Sequence, residues 1–590
     1  MVIRSVSLST NRPETGTHRG RSPAMLVGGE SVCYAAAMER HTTGFSASSL
    51  NLVLGLALSF GLVALVPPSG AELLRPPAAE SVSKSHKPPA KGSSTDTRDE
   101  LGGWGDEADD GSDDNPRDRA NDQPDVEPEA NTPPPKPRTR ELDESKRAKR
   151  FRRSLKRLLR RAPIRGVKLG IVVADARSGD EIGRRNPDKR LNPASTLKLV
   201  TSAVALDTLG PEHRFSTEIL VDGDSIFLRG NGDPMLMTED LEQLARDAAE
   251  AISDGTPFKR IVVDTSAFSG PDLPPGYSKK STDASYRAST GAVALDYGAV
   301  RVAVKGTREG RAPSVEVTPP GGYLKLDNRA RTVMGKGSTI RIKVLKRGER
   351  SVASITGKIG RRRVRGTWVR RRVESPPLMA GYALQHFLKQ RGIKVKSVVR
   401  GTATDDARVV AKRRSGTLRD IIAAMNKHSN NFIAEMLVRA IVDGDGARTW
   451  SAGRKVVSKW LTSQLGIPKK SFTYRNGSGL YDGGRFSPRQ VVDLLVHMNG
   501  HRDREVYRTS LAVAGGKEGT LSERLLGRRY RGRVIGKTGT LNDVSALSGY
   551  ARGRSGRLVA FSIIMNRTNK ATPSMRALQD KICALMIDTL

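Results

Sequence analysis

The sequence predicts a mixed α/β (α+β) fold in which helix-and-strand segments flank a large β-rich insertion. Three observations lead there. First, VKLGIVVADARSGDEIGRRNPDKRLNPAS reads as two strands joined by a turn at Ser178-Gly179-Asp180, followed by a helix over STLKLVTSAVALDTLG. Second, from about Phe215 to Ala403 short alternating segments such as FSTEILVDGDSIFLRG, RIVVDTSAF and VASITGKIG are separated by Gly and Pro turns, with one helix expected around Leu378 to Gln390. Third, after Thr417 helices return in LRDIIAAMNKHSNNFIAEMLVRAIV and RKVVSKWLTSQLG. RVIGKTGT, VSALSGYARG and RLVAFSIIMNR then read as three strands before a last helix.

At 590 residues the chain exceeds one compact core and leaves room for two or three domains plus unstructured sequence. Ser49 to Val66 is apolar and uncharged, and Pro67, Pro68 and the small residues Ser69-Gly70-Ala71 follow it. It reads as an export signal or an uncleaved N-terminal anchor, so residues 1–71 are assigned to targeting and the rest to the periplasm or cell envelope. The start at Met38 would give a signal of ordinary length, with Arg40 ahead of the apolar run. Residues 72–146, with DEADDGSDDN and NTPPPKP, read as a disordered acidic, Pro-rich linker. The basic stretch KRAKRFRRSLKRLLRRAPIRG places Phe151, Leu155, Leu158 and Leu159 on one helical face. That face suits either a membrane surface or the following domain.

Net charge is +38, which favours polyanions: nucleic acid, an anionic envelope polymer or a membrane surface. Nucleic acid is disfavoured, because the basic clusters lack interleaved aromatics and the chain carries an export signal. The densest cluster is GRRRVRGTWVRRRV, Gly360 to Val373, for which a solvated strand face is expected. The two cysteines are Cys33 and Cys583, so no disulfide framework or Cys-based metal site is expected. Cys583 sits on the apolar spacing of the last helix as a buried thiol. The eight His show no ligand spacing, and no metal or cofactor is expected.

Serine is a poor nucleophile at neutral pH and needs a base within hydrogen-bond reach. A Lys three residues on along a helix is placed to serve. Ser195-Thr196-Leu197-Lys198 supplies that pair where strand gives way to helix. The lysine acts as a base only if burial or a nearby cation keeps it neutral. The pattern alone is weak: Ser81-Val82-Ser83-Lys84 matches it where nothing fixes the geometry. A second element, Ser429-Asn430-Asn431, lies between two helical runs, and a third, Lys537-Thr538-Gly539-Thr540, lies on a strand. Singly, each has a bland reading as an N-cap, a turn or a solvated cation. The three in this order form a mechanistic set.

NPASTLKLVTSAVALDTLGP, RGNGDPML, NKHSNNFIAEMLVR, NGSGL, AGGKEGTL and GKTGTLNDVSALSGY resemble, in order, segments of the D-alanyl-D-alanine carboxypeptidase/endopeptidase family, the class C low-molecular-mass penicillin-binding proteins. The resemblance covers about residues 150 to 590. Between Lys198 and Ser429 lie 230 residues, too many for a single-domain β-lactamase. The resemblance implies a transpeptidase-like serine hydrolase domain from residues 147–214 and 411–590, with accessory domains inserted at 215–410. It implies a peptidoglycan peptide as substrate and β-lactams as inhibitors. It also implies Ser195 as nucleophile, Lys198 as its base, Ser429 in proton relay, Asn431 on the substrate amide, and Lys537, Thr538, Gly539 and Thr540 at its carboxylate. The alternatives are a β-lactamase or D-amino-acid esterase or amidase of the same chemistry, and a non-catalytic envelope-binding protein.

Overall fold

The computed structural model describes residues 138–252, 257–444, 447–569 and 572–590. The apolar segment 49–66, the acidic linker up to residue 137 and Cys33 lie outside the described residues. Among the described residues no helix is long and apolar enough to cross a membrane.

The segments on either side of the insertion build one antiparallel sheet. Its strand order is Ala512–Val513, Val534–Leu541, Val544–Arg552, Leu558–Asn566, Lys168–Asp175, Glu181–Arg185. Lys168–Asp175 pairs along its length with Leu558–Asn566, from Lys168 opposite Asn566 to Asp175 opposite Val559. Both faces of the three central strands are buried, so these strands are mainly apolar and their alternation divides two cores. Ile171, Val173, Phe561 and Ile563 face a core shared with helix Thr572–Thr589, whose Ile582, Cys583 and Met586 are buried. Val172, Ala174, Ala560 and Ile564 face the core formed with helices Lys198–Leu209, Leu418–His428, Asn431–Ala440, Trp450–Leu465 and Pro488–Gly500.

The basic stretch is a helix, Arg138–Arg161, and its apolar face belongs to the sheet. Phe151 and Leu155 are buried in the Cys583 core, and the Phe151 ring lies where a Cβ on Gly183 would come within 2.7 Å of it. Of the two readings of that face, packing on the following domain is the one observed. The helix begins inside the stretch expected as linker to Lys146, because RTRELDESKRAKR holds no Pro or Gly to stop it.

The insertion centres on a five-stranded mixed sheet ordered Val395–Gly401, Phe258–Asp264, Ser225–Gly230, Ser216–Asp222, Arg408–Arg414. Its first and last strands pair, with Ser216 opposite Arg414, so the insertion closes at Arg414 rather than at residue 410. Two helices cover this sheet, not the single one expected. Pro376–Gln390 is joined by Thr238–Ala251, where Asp240 accepts a hydrogen bond from Met237 N at 2.9 Å and Leu241, Leu244, Ala245 and Ala248 are buried at helical spacing. Shorter strands between Ala299 and Arg372 complete it. In the Arg-dense segment the turn residues Arg361, Arg362, Arg363 and Arg365 are exposed as expected. The strand Thr367–Arg372 is half-buried instead, because Arg371 pairs with Asp283 at 3.1 Å, Arg372 pairs with Glu374 and Arg370 lies over the Tyr297 ring.

Candidate active site

Asn192-Pro193-Ala194 holds the first motif in place. Asn192 N donates to Asn566 Oδ1 at 2.8 Å, Asn192 Nδ2 donates to Tyr481 O at 2.7 Å, and Asn192 Oδ1 accepts from Ala194 N at 2.9 Å. Ser195 lies within a short 3₁₀ turn, Ala194–Leu197, that leads into helix Lys198–Leu209. The three-residue offset turns the Lys198 side chain back onto Ser195, with Nζ 3.1 Å from Oγ.

Lys198 Nζ has two further partners, Asn431 Oδ1 at 2.7 Å and the Ser478 carbonyl at 2.9 Å, and the residue is fully buried. Burial lowers its pKa to about 7, and attraction to Glu435 partly opposes that fall. A neutral amine has two N–H bonds and one lone pair. With the two hydrogens directed to Asn431 and Ser478, the lone pair faces Ser195 Oγ. The orientation of the Asn431 amide is set from its other end, where Nδ2 donates to Tyr286 O at 3.0 Å.

The Ser429-Asn430-Asn431 element is the junction of two helices. Ser429 closes helix Leu418–His428 in the left-handed region, at φ 57°. Asn430 caps the next helix by accepting from Ile433 N at 3.2 Å, so Asn431 starts that helix and projects to Lys198. The Ser429 hydroxyl is half-buried and makes no side-chain hydrogen bond among the described residues.

Lys537, Thr538, Gly539 and Thr540 lie on the strand Val534–Leu541 beside the nucleophile turn. A Cβ at Gly539 would stand 2.6 Å from Pro193 O, so the strand reaches Ser195's turn only with glycine there. Lys537 is fully buried, and Nζ donates to Thr538 O at 3.0 Å. Burial, and then the neighbouring Lys198, hold its pKa well below the usual lysine value. Arg576 Nη2 lies 3.4 Å from Thr540 Oγ1.

Three residues of the site carry no role in the sequence reading: Glu435, Ser478 and Tyr277. The Glu435 carboxylate is fully buried and accepts from Gly477 N at 3.1 Å, Ser478 N at 3.0 Å and Tyr277 Oη at 3.0 Å. All three are donors, so the carboxylate fixes the loop whose Ser478 carbonyl receives Lys198. Tyr277 Oη also meets Ser478 Oγ at 2.8 Å. Gly479, at φ 76°, abuts the nucleophile turn, where a Cβ would lie 1.9 Å from Ala194 O. Glu435 was visible as a lone acid in the apolar run FIAEMLV, four residues from Asn431 and on the same helical face. Tyr277 comes from the insertion and has no local signal.

Comparison with known proteins identifies the family. The model of the D-Ala-D-Ala carboxypeptidase 3 (S13) family matches residues 151–585. The chain belongs to that family. Like other members of the S13 family it is a serine-type carboxypeptidase. The D-alanyl-D-alanine carboxypeptidase of Actinomadura sp. (strain R39) is 33% identical over 465 residues, covering 74% of this chain and 84% of that protein. Carboxypeptidase DacB of Mycolicibacterium smegmatis is 26% identical over 446 residues, covering 71% and 80%. The crystal structure of penicillin binding protein 4 from Haemophilus influenzae shares the S13 chain's fold with a TM-score of 0.61 at 21% identity, covering 73% of this chain and 99% of that one.

Proposed function

We propose that the protein hydrolyses the D-alanyl-D-alanine terminus of peptidoglycan stem peptides through an acyl-enzyme on Ser195. The observation that carries the reading is Lys198 Nζ, buried, with a pKa of about 7, 3.1 Å from Ser195 Oγ and with its two N–H bonds directed to acceptors. Neutral Lys198 takes the hydroxyl proton as Oγ attacks the carbonyl of the penultimate D-Ala. Backbone N–H groups of Ser195 and Thr540 receive the oxyanion. Lys198, with Ser429, returns the proton to the leaving amine and D-Ala departs. Water then cleaves the ester and regenerates the hydroxyl.

Asn431 has two duties in this scheme, holding Lys198 and contacting the substrate amide. The terminal carboxylate goes to Lys537, Thr538 and Thr540, with Gly539 letting the strand approach. A carboxylate there restores the charged state of Lys537 that burial disfavours. A β-lactam presents the same carbonyl-and-carboxylate arrangement, and acylates Ser195 without a diffusible leaving group. Residues 147–214 and 415–590 form the hydrolase domain and the insertion forms its accessory domains. The enzyme works in the cell envelope, delivered there by residues 1–71.

Mass spectrometry of the full chain after incubation with benzylpenicillin, alongside Ser195→Ala, tests the assignment. A persistent adduct on Ser195 that the variant lacks supports it. No adduct with the drug left intact overturns it, and rapid drug hydrolysis moves the chain to β-lactamase chemistry.

A further inference from the structure

The small-strand part of the insertion, residues 299–373, holds 21 Lys and Arg against four acids, a net charge of +17 out of the chain's +38. Glu349 is the one acid between Asp327 and Glu374. The charge is concentrated where two turns are hydrogen-bonded to each other. Arg361 N donates to Val333 O at 2.7 Å, Arg362 N to Gly335 O at 2.9 Å and Gly360 N to Gly337 O at 2.7 Å. Arg361, Arg362, Arg363, Arg365 and Lys336 are exposed on these turns, and none enters an ion pair among the described residues.

Apolar side chains are exposed in the same place. Val364 is 79% exposed and Met334 54%, and on the adjoining strands Leu345 is 55% and Leu326 45% exposed. A lone exposed valine is ordinary. Exposed apolar side chains set among unpaired cations are what a surface needs to hold phosphate headgroups while its apolar groups enter the interface below them. A soluble polyanion would engage the cations and leave Val364 and Met334 in water. Stacking on nucleic-acid bases is unavailable, because the nearby Trp368 is half-buried with the Arg301 guanidinium 5.2 Å from its ring.

We propose that the paired turns 333–337 and 360–366 dock the enzyme on an anionic lipid bilayer, with the arginines over the headgroups and Val364 and Met334 in the interface. This goes beyond the hydrolase reading and does not depend on it. The test uses the full chain carrying Cys33→Ser and Val364→Cys, labelled with an environment-sensitive fluorophore; Cys583 is buried and escapes the label. Vesicles of phosphatidylglycerol and phosphatidylcholine should shift the emission to the blue, and phosphatidylcholine alone should not. The label on Leu526→Cys, exposed outside this part of the insertion, should stay unshifted. Changing all four turn arginines to Gln should weaken the vesicle response roughly a thousandfold, while benzylpenicillin acylation of Ser195 stays at its wild-type rate and shows the variant folded. No shift at position 364, equal shifts at 364 and 526, or an equal shift with inorganic polyphosphate would each overturn the proposal.

Discussion

Glu435→Gln separates the electrostatic part of the lysine arrangement from its geometry. The glutamine keeps the shape of the side chain but has one oxygen for three donors, Gly477 N, Ser478 N and Tyr277 Oη. Its amide nitrogen must then face a donor in a fully buried site, at a cost of about 1–3 kcal/mol. At about tenfold per 1.36 kcal/mol, the plateau rate of Ser195 acylation falls by up to roughly a hundredfold if the whole cost reaches the transition state. The pH dependence moves independently of that fall. In the parent, the protonated form of Lys198 prevails below about pH 7 and cannot accept the serine proton, so the rate declines on the acid side. Attraction to Glu435 raises the Lys198 pKa against burial. Its removal therefore lowers that pKa, and the acid limb shifts to lower pH. Stopped-flow acylation by a chromogenic cephalosporin, from about pH 5 to 9, reads both effects. Tyr277→Phe is the companion variant: it keeps the carboxylate charge, so its acid limb should stay in place while the plateau drops by about 1 kcal/mol. An acid limb that is unmoved, or moved to higher pH, in Glu435→Gln would refute the coupling between Glu435 and Lys198.

Three further outcomes are expected. Lys537→Gln removes a charge-assisted bond to the terminal carboxylate worth about 1.5–3 kcal/mol, so kcat/KM should fall for a free-acid D-Ala-D-Ala peptide and stay nearly unchanged for its C-terminal amide, measured by D-Ala release and by peptide cleavage. Gly479→Ala puts a Cβ 1.9 Å from Ala194 O at a positive φ, so labelling by a fluorescent penicillin should be lost while circular dichroism shows the fold retained. Phe151→Ala empties a buried site between helix Arg138–Arg161 and the sheet and should lower the stability by about 3–5 kcal/mol. A urea midpoint unchanged from the parent would show that the basic helix does not anchor there.

The sequence by itself determined what is set over a few residues. Ser195 and Lys198 meet because an offset of three residues turns one side chain back on the other. Asn431 projects inward because Ser429 and Asn430 end one helix and cap the next, and Lys537 to Thr540 lie on a strand that Val534 and Ile535 open and Leu541 closes. Gly539 was legible as part of that motif, while the approach of Pro193 that requires it was not. Local pattern also misled: TEDLEQLARDAAEA reads as a helix only when its buried Leu241, Leu244 and Ala248 are weighed against the surrounding strands, and a helix begins at Arg138, inside the stretch expected as linker to Lys146. Tertiary structure alone decided whether Lys198 is a base. Its pKa is set by burial and by Glu435, and the acceptors that orient its amine, Asn431 and Ser478, are 233 and 280 residues away along the chain. The tyrosine that steadies Glu435 comes from the insertion, 158 residues before it. A titration state depends on desolvation and on charges gathered from distant segments, and no spacing within a motif encodes either one.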